Sequence, residues 1–173
     1  MNKGTQKKKP DPEILKLLQS SDDKLVLKTL HKLRSAGNLT YIPELLKLLS
    51  QCKNELIEKE LIRFLADIKE PGVIPLFVDG LKKPGLKKAR ADMLSAIWQS
   101  GLDYSSYMNE FIHLFIEGDY LVALESFTII EQSLEHMSDQ EMVEKRNQLL
   151  DGLDHVSEEK KPLARELLNL LQT

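Results

Sequence analysis

An all-α fold, specifically an α-solenoid of about five antiparallel helical hairpins, is what this 173-residue sequence predicts, and three observations predict it. The segment PELLKLL (Pro43 to Leu49) nearly copies PEILKLL (Pro12 to Leu18) 31 residues earlier. Looser copies follow 32 residues on as IPLFVDGL (Ile74 to Leu81) and 34 beyond that as MNEFIHLF (Met108 to Phe115). A helix pair at such a period marks a solenoid, because one hairpin cannot bury its apolar face alone and must stack on a neighbour. The second observation comes from laying the later helix of each pair over the others with those same offsets. Three rows are then apolar in every copy: Val26/Ile57/Ala89/Ala123, Leu30/Leu61/Met93/Phe127 and Leu33/Phe64/Ala96/Ile130. These positions are spaced i, i+4, i+7 and mark one helix face, which must point into a core. Third, aromatic residues are only 6% of the chain and Leu dominates, which suits helices and argues against a β-sandwich.

Taken in order, residues 1–10 (MNKGTQKKKP) lack apolar periodicity and are expected to be a mobile basic tail, followed by a single repeat domain over 11–173. The first unit, 11–37, opens with Asp11 as a cap, Pro12 in the first turn and Glu13 at the positive end of the dipole. Its second helix runs from Asp23 to Ala36 and is closed by Gly37-Asn38. The second unit, 41–70, pairs helices over Ile42 to Ser50 and Asn54 to Ile68. The third, 73–101, pairs Val73 to Lys82 with Leu86 to Ser100 across Pro84-Gly85 and ends at Gly101. The fourth, 105–136, pairs Ser105 to Glu117 with Tyr120 to His136 across Gly118-Asp119. The fifth, 139–172, is capped by Ser138-Asp139 and pairs Gln140 to Asp151 with Glu158 to Leu171, with Pro162 in the opening turn where a missing N–H does little harm.

Charge is unevenly spread. Residues 1–9 hold four Lys and no acid, residues 10–109 hold 15 Lys/Arg against 13 Asp/Glu, and residues 110–173 hold 5 Lys/Arg against 14 Asp/Glu. A chain of net charge −3 with so acidic a final third is a poor general nucleic-acid ligand, since phosphate contacts need clustered cations. The single cysteine, Cys52, excludes an intrachain disulfide and a multi-cysteine metal site, and its place just past an apolar run suits a partly buried, inert thiol. No apolar run has the length of a membrane span or a signal-peptide core, so a cytoplasmic protein without a membrane partner is expected.

No catalytic motif is present: there is no phosphate loop, nucleophile elbow or HExxH. His31, His113, His136 and His155 are dispersed, and His136 near Glu135 and Asp139 is the closest approach to a metal site. The expectation is therefore a protein with no catalytic residues, no cofactor and no metal. Glu125, Glu131 and Glu135 share one helix and suit a solvated acidic face. Tyr104, Tyr107, Phe111 and Phe115 are expected in the core.

The chain resembles the HEAT-repeat family, in its short bacterial form, through paired antiparallel helices with a proline early in the first: Pro43, Pro75 and Pro12. The resemblance covers Asp11 to His136 well and the fifth unit weakly. The Asp/Val then Arg/Lys signature of the inter-helix turn is missing, and armadillo-like stacking stays open beside it. The resemblance implies a right-handed superhelix whose inner surface is built from the second helices and serves as a binding scaffold.

On that inner row lie Lys28/Lys59/Ala91/Glu125 and Lys32/Arg63/Ser95/Ile129, grading from basic through small to acidic and apolar. Such a groove suits a protein or peptide partner of matching charge, steering its encounter; the plain alternative is that Lys and Glu are good surface helix formers. Trp98 sits five positions past Met93, about 140° around the helix, which turns it away from the core beside Leu94 and above Ala91 and Ser95. Half-exposed there, it is the kind of anchor that dominates interfaces; the alternative is that it packs against the adjacent second helix, as large aromatic side chains usually do.

The leading expectation is thus a non-catalytic protein- or peptide-binding scaffold, monomeric or weakly dimeric, with Lys28, Lys32, Lys59, Arg63, Ala91, Ser95, Trp98 and Glu125 as its groove. The alternative is an enzyme on a similar scaffold, as in bacterial alkylpurine DNA glycosylases or bilin lyases, with Lys59, Arg63, Lys87, Lys88, Arg90, Asp92 and Trp98 as raw material. A third reading is self-assembly through the leucine stripe Leu163, Leu167, Leu168, Leu170 and Leu171, if nothing covers it.

Overall fold

Asp11, at the head of the first helix, accepts the Glu13 N–H at 2.9 Å as the sequence predicts, and its own N–H donates to the Tyr41 hydroxyl at 3.0 Å. From this start the computed structural model describes residues 9–36 and 39–172. Most of the expected tail, and the Gly37-Asn38 closure, lie outside the described residues.

Ten α-helices follow: α1 Pro12–Leu18, α2 Asp23–Ala36, α3 Ile42–Gln51, α4 Glu55–Ala66, α5 Ile74–Leu81, α6 Arg90–Ser100, α7 Met108–Glu117, α8 Tyr120–Ser133, α9 Asp139–Asp151 and α10 Lys161–Leu170. Among the described residues there is no strand. Single turns of 3-10 helix lead into α3, α5, α7 and α10, and another extends α8 through Leu134–His136. The sequence assigns several of these turns to the helices themselves, so the α-helical bounds are shorter than the periodicity predicts.

The starts are set by short polar side chains that satisfy free N–H groups. Asp22 accepts from Lys24 N at 2.9 Å, Asn54 from Leu56 N at 2.9 Å and Asp119 from Val122 N at 3.0 Å. Ser138 and Glu141 form a reciprocal capping box on α9. At the other end of α6, Gly101 takes the left-handed conformation (φ 65°) that favours glycine.

The ends of three helices are closed by cations from elsewhere in the chain, which places positive charge on the negative pole of each dipole. Arg90 Nε donates to the Leu81 carbonyl of α5 at 3.0 Å. Lys69 Nζ donates to Gln99 and Ser100 O at the end of α6, at 3.1 and 2.8 Å. Lys160 Nζ donates to Phe115, Ile116 and Gly118 O at the end of α7, at 3.1, 2.6 and 2.7 Å.

Helices pack within pairs (α1 on α2, α3 on α4, α5 on α6, α7 on α8, α9 on α10) and between them, with α2 on α4, α4 on α6, α6 on α8 and α8 on α10. The three apolar rows are the seam: every member is buried except Phe127, which is half-buried. Two placements are corrected. Ile129, assigned to the outer row, and Leu94, assigned beside an outward Trp98, are both buried. Each sits on a helix packed on three sides, α6 by α4, α5 and α8 and α8 by α6, α7 and α10, so a wider stripe is covered than a two-sided count allows. Tyr104, Phe111 and Phe115 are buried and Tyr107 is half-buried, with the rings of Tyr104 and Phe111 edge-on at 5.9 Å.

Candidate partner-binding face

The four basic candidates stand in solvent. Lys28 and Lys32 on α2, and Lys59 and Arg63 on α4, are exposed, whereas Ala91, Ser95 and Trp98 on α6 and Glu125 on α8 are half-buried. Lys59 and Arg63 line one wall of an open cleft of about 490 Å³ between α4 and α6, and Asp92 and Gln99 line the other. Their nearest acids are weak partners: Lys59 Nζ lies 3.9 Å from Glu55 Oε2, and Arg63 Nη1 lies 3.9 Å from Glu60 Oε2. At that separation, and in water, both cations keep most of their charge available.

Ser95 does not point at a partner. Its hydroxyl accepts from Gln99 Nε2 at 2.9 Å and so braces the cleft wall. Trp98 lines a second cleft, about 410 Å³, between the end of α6 and the end of α8. Its indole Nε1 donates to Glu125 Oε2 at 2.6 Å, which ties the outer faces of α6 and α8 together. Trp98 and Glu125 are therefore brought into contact, and Lys59 and Arg63 share a cleft. Lys28 and Lys32 line neither.

The enzyme ingredients are scattered. Arg90 is turned to the Leu81 carbonyl, Asp92 lies in the α4–α6 cleft and Trp98 in the other, while Lys87 and Lys88 are exposed. Among the described residues no group of three or more His, Cys, Asp and Glu is placed to hold a metal ion. His136 Nε2 is 3.4 Å from Glu135 Oε1. No helix among the described residues is long and apolar enough to cross a membrane. Most of the leucine stripe is covered by its own chain: Leu167 and Leu171 are buried, Leu163 and Leu168 pack against the core, and Leu170 is half-buried. Cys52 is half-buried, its thiol donating to Asn54 O at 3.2 Å.

Sequence reasoning missed a polar network on the α2–α4 seam. Glu60 is buried and accepts from Arg34 Nη1 at 3.1 Å, and Arg34 Nε donates to Asp67 Oδ2 at 2.6 Å. The hydrogen bond to Asp67, then its charge and those to Glu60, raise the Arg34 pKa further. The missed signal was the repeat itself, because Arg34 and Asp67 are 33 residues apart, close to one period. It also missed the Tyr104 hydroxyl, which is buried without a hydrogen-bond partner among the described residues, and whose pKa burial pushes up to about 12.

No family model, curated protein or solved structure matches the chain.

Proposed function

We propose that the chain is a short helical-repeat scaffold, a solenoid of stacked hairpins, that holds a protein or peptide segment along the outer face of α2, α4, α6 and α8 and carries no chemistry of its own. The observation that carries this reading is the spacing of the polar ties between helices. Asn54 to Asp23, Arg34 to Asp67, Lys69 to Ser100, Lys82 to Glu110 and Trp98 to Glu125 join residues 31, 33, 31, 28 and 27 apart. Ties of near-constant span are what a stack of similar units produces, since each unit contacts only its neighbours. Such a stack presents a rigid surface, so little ordering opposes binding.

On that surface the basic stretch of α2 and α4 (Lys28, Lys32, Lys59, Arg63) favours acidic side chains on the bound segment, and the clefts on both flanks of α6 supply the recesses into which its side chains seat. Affinity capture with the intact protein and with a Lys59→Glu/Arg63→Glu variant tests this. Both residues are exposed, so the helical circular dichroism should not change. A partner held by the wild type and released by the variant supports the reading; equal capture by both refutes it.

A further inference from the structure

The last helix of the chain repeats the pattern of the others. With an offset of 41, α10 laid over α8 puts Ala164, Leu168 and Leu171 on Ala123, Phe127 and Ile130 of the apolar seam. The outward row opposite that seam then has five members: Lys28 on α2, Lys59 on α4, Ala91 on α6, Glu125 on α8 and Glu166 on α10. Lys28, Lys59 and Glu166 are exposed, and Ala91 and Glu125 are half-buried. Across the stack the row runs positive, positive, neutral, negative, negative. We infer that this face associates with the same face of a second copy of the chain, about a two-fold axis running along α6. The inference rests on the scaffold reading above and names the acidic partner of α2 and α4 as α8 and α10 of that second copy.

A two-fold interface must be complementary to itself. A row whose charge changes sign about its middle member meets that condition. Rotation about α6 carries each helix onto the one equally far away on the other side, and an axis parallel to the helices keeps each residue at its own height. Lys59 therefore meets Glu125 of the second copy, Lys28 meets its Glu166, and Ala91 meets its own counterpart on the axis. Each pair occurs twice, and no like charges within the row meet. The methyl group of Ala91 lets the two copies of α6 approach while the longer side chains pair on either side. Glu125 accepts the Trp98 indole N–H at 2.6 Å, a neutral donor that fixes the carboxylate without cancelling its charge. The opposite charges that border the row, Glu58 on α4 and Arg165 on α10, each precede it by one residue and lie about 100° round the helix, off the line of contact. Charge sets the register here, and apolar contact adds affinity. Among the described residues Leu56 and Leu121 are the most exposed large apolar side chains, at 65% and 60%. They occupy the second positions of α4 and α8, the two helices that the rotation opposes. Five helices about 10 Å apart and about 18 Å long present about 700 Å² a side, close to the roughly 800 Å² per partner of a stable complex.

Sedimentation equilibrium of the intact protein tests this. The wild type should dimerise with a Kd tighter than about 100 µM, and added salt should weaken the dimer by screening its pairs. Lys28→Glu and Glu166→Lys, both at exposed positions, each set like charges against each other twice per dimer and should weaken it at least about tenfold. Mixed in equal amounts, the two variants should form a heterodimer of near wild-type strength, because each reversal then faces the other. Such recovery cannot come from variants that fail to fold. A wild type that stays monomeric, a dimer untouched by either reversal, or a mixture no stronger than its separate components would overturn the inference. Capture of a foreign protein through Lys59 and Arg63 by a monomeric wild type would overturn this inference alone. A dimer recovered in the mixture, with equal foreign capture by the wild type and by Lys59→Glu/Arg63→Glu, would refute the captured-segment reading and uphold the second copy.

Discussion

Lys160 is buried, only 3% exposed, and none of its three hydrogen bonds goes to a carboxylate. Burial lowers its pKa, against the pull of Glu117, Glu159 and Asp119 nearby. The ammonium supplies donors to three carbonyls at the end of α7, the negative pole of that helix. Lys160→Met keeps the stem and removes the donors, so it should cost about 3 kcal/mol in urea unfolding. Tyr104 is the opposite case, a buried hydroxyl with Ser100 beside it and no carbonyl to close. Tyr104→Phe should leave stability within about 1 kcal/mol of wild type, or raise it. Its titration fixes a sign as well. The unfolded chain loses this proton from about pH 10 and the fold keeps it until about pH 12, so the wild type should lose stability as pH rises through that window. Tyr104→Phe should flatten the slope, as unfolding curves at pH 9 and pH 11.5 would show.

At the scale of single elements, the caps were legible and the cations that close helix ends were not. Asp11, Ser138 and Gly101 announce themselves because a cap acts within three residues, whereas Lys69 and Lys160 act on carbonyls 30 to 45 residues away. The capping box on α9 has a pH signature. Ser138 N–H and Oγ donate to Glu141 Oε2 at 2.8 and 2.7 Å and hold its pKa below the ordinary value. Its contribution is therefore complete above the usual glutamate range and fades as pH falls through the lowered value. Ser138→Ala should cost about 1 kcal/mol at neutral pH and speed amide exchange in the first turn of α9. Between α7 and α8 the constraint is steric. A Cβ on Gly118 would lie 2.4 Å from Val122 Cγ1 and 2.6 Å from the Leu114 carbonyl, and the backbone oxygen cannot move aside without opening α7. Gly118→Ala should destabilise by about 2 kcal/mol in the same assay.

For the whole molecule, helix order and the apolar seam could be read in advance because both are periodic. The copies of PELLKLL and the three aligned rows encode helices and buried faces together, and eleven of the twelve row positions are buried. What periodicity could not supply was the effect of the last pair. α10 lies on both α8 and α9 and takes up most of the leucine stripe that the sequence left open to a second molecule. The candidate face was legible in part: the exposed cations of α2 and α4 follow from helix geometry, whereas Trp98, turned outward by the same count, packs against the core and bonds to α8. That Asp103 and Glu131 line the same cleft as Trp98 did not follow, because Asp103 belongs to a loop and Glu131 to another helix. One continuous core predicts one unfolding event, so Trp98 emission and far-UV circular dichroism should trace coincident urea curves; separated midpoints would reveal a unit that opens alone.

The latch on α7 also sets an order of events on the ribosome. Gly118 emerges 42 residues before the ammonium that will complete its turn, a delay of about 2 to 8 seconds at ordinary rates of synthesis. For that interval the nascent helix has a frayed tail, and the last hairpin arrives as the clamp that finishes it.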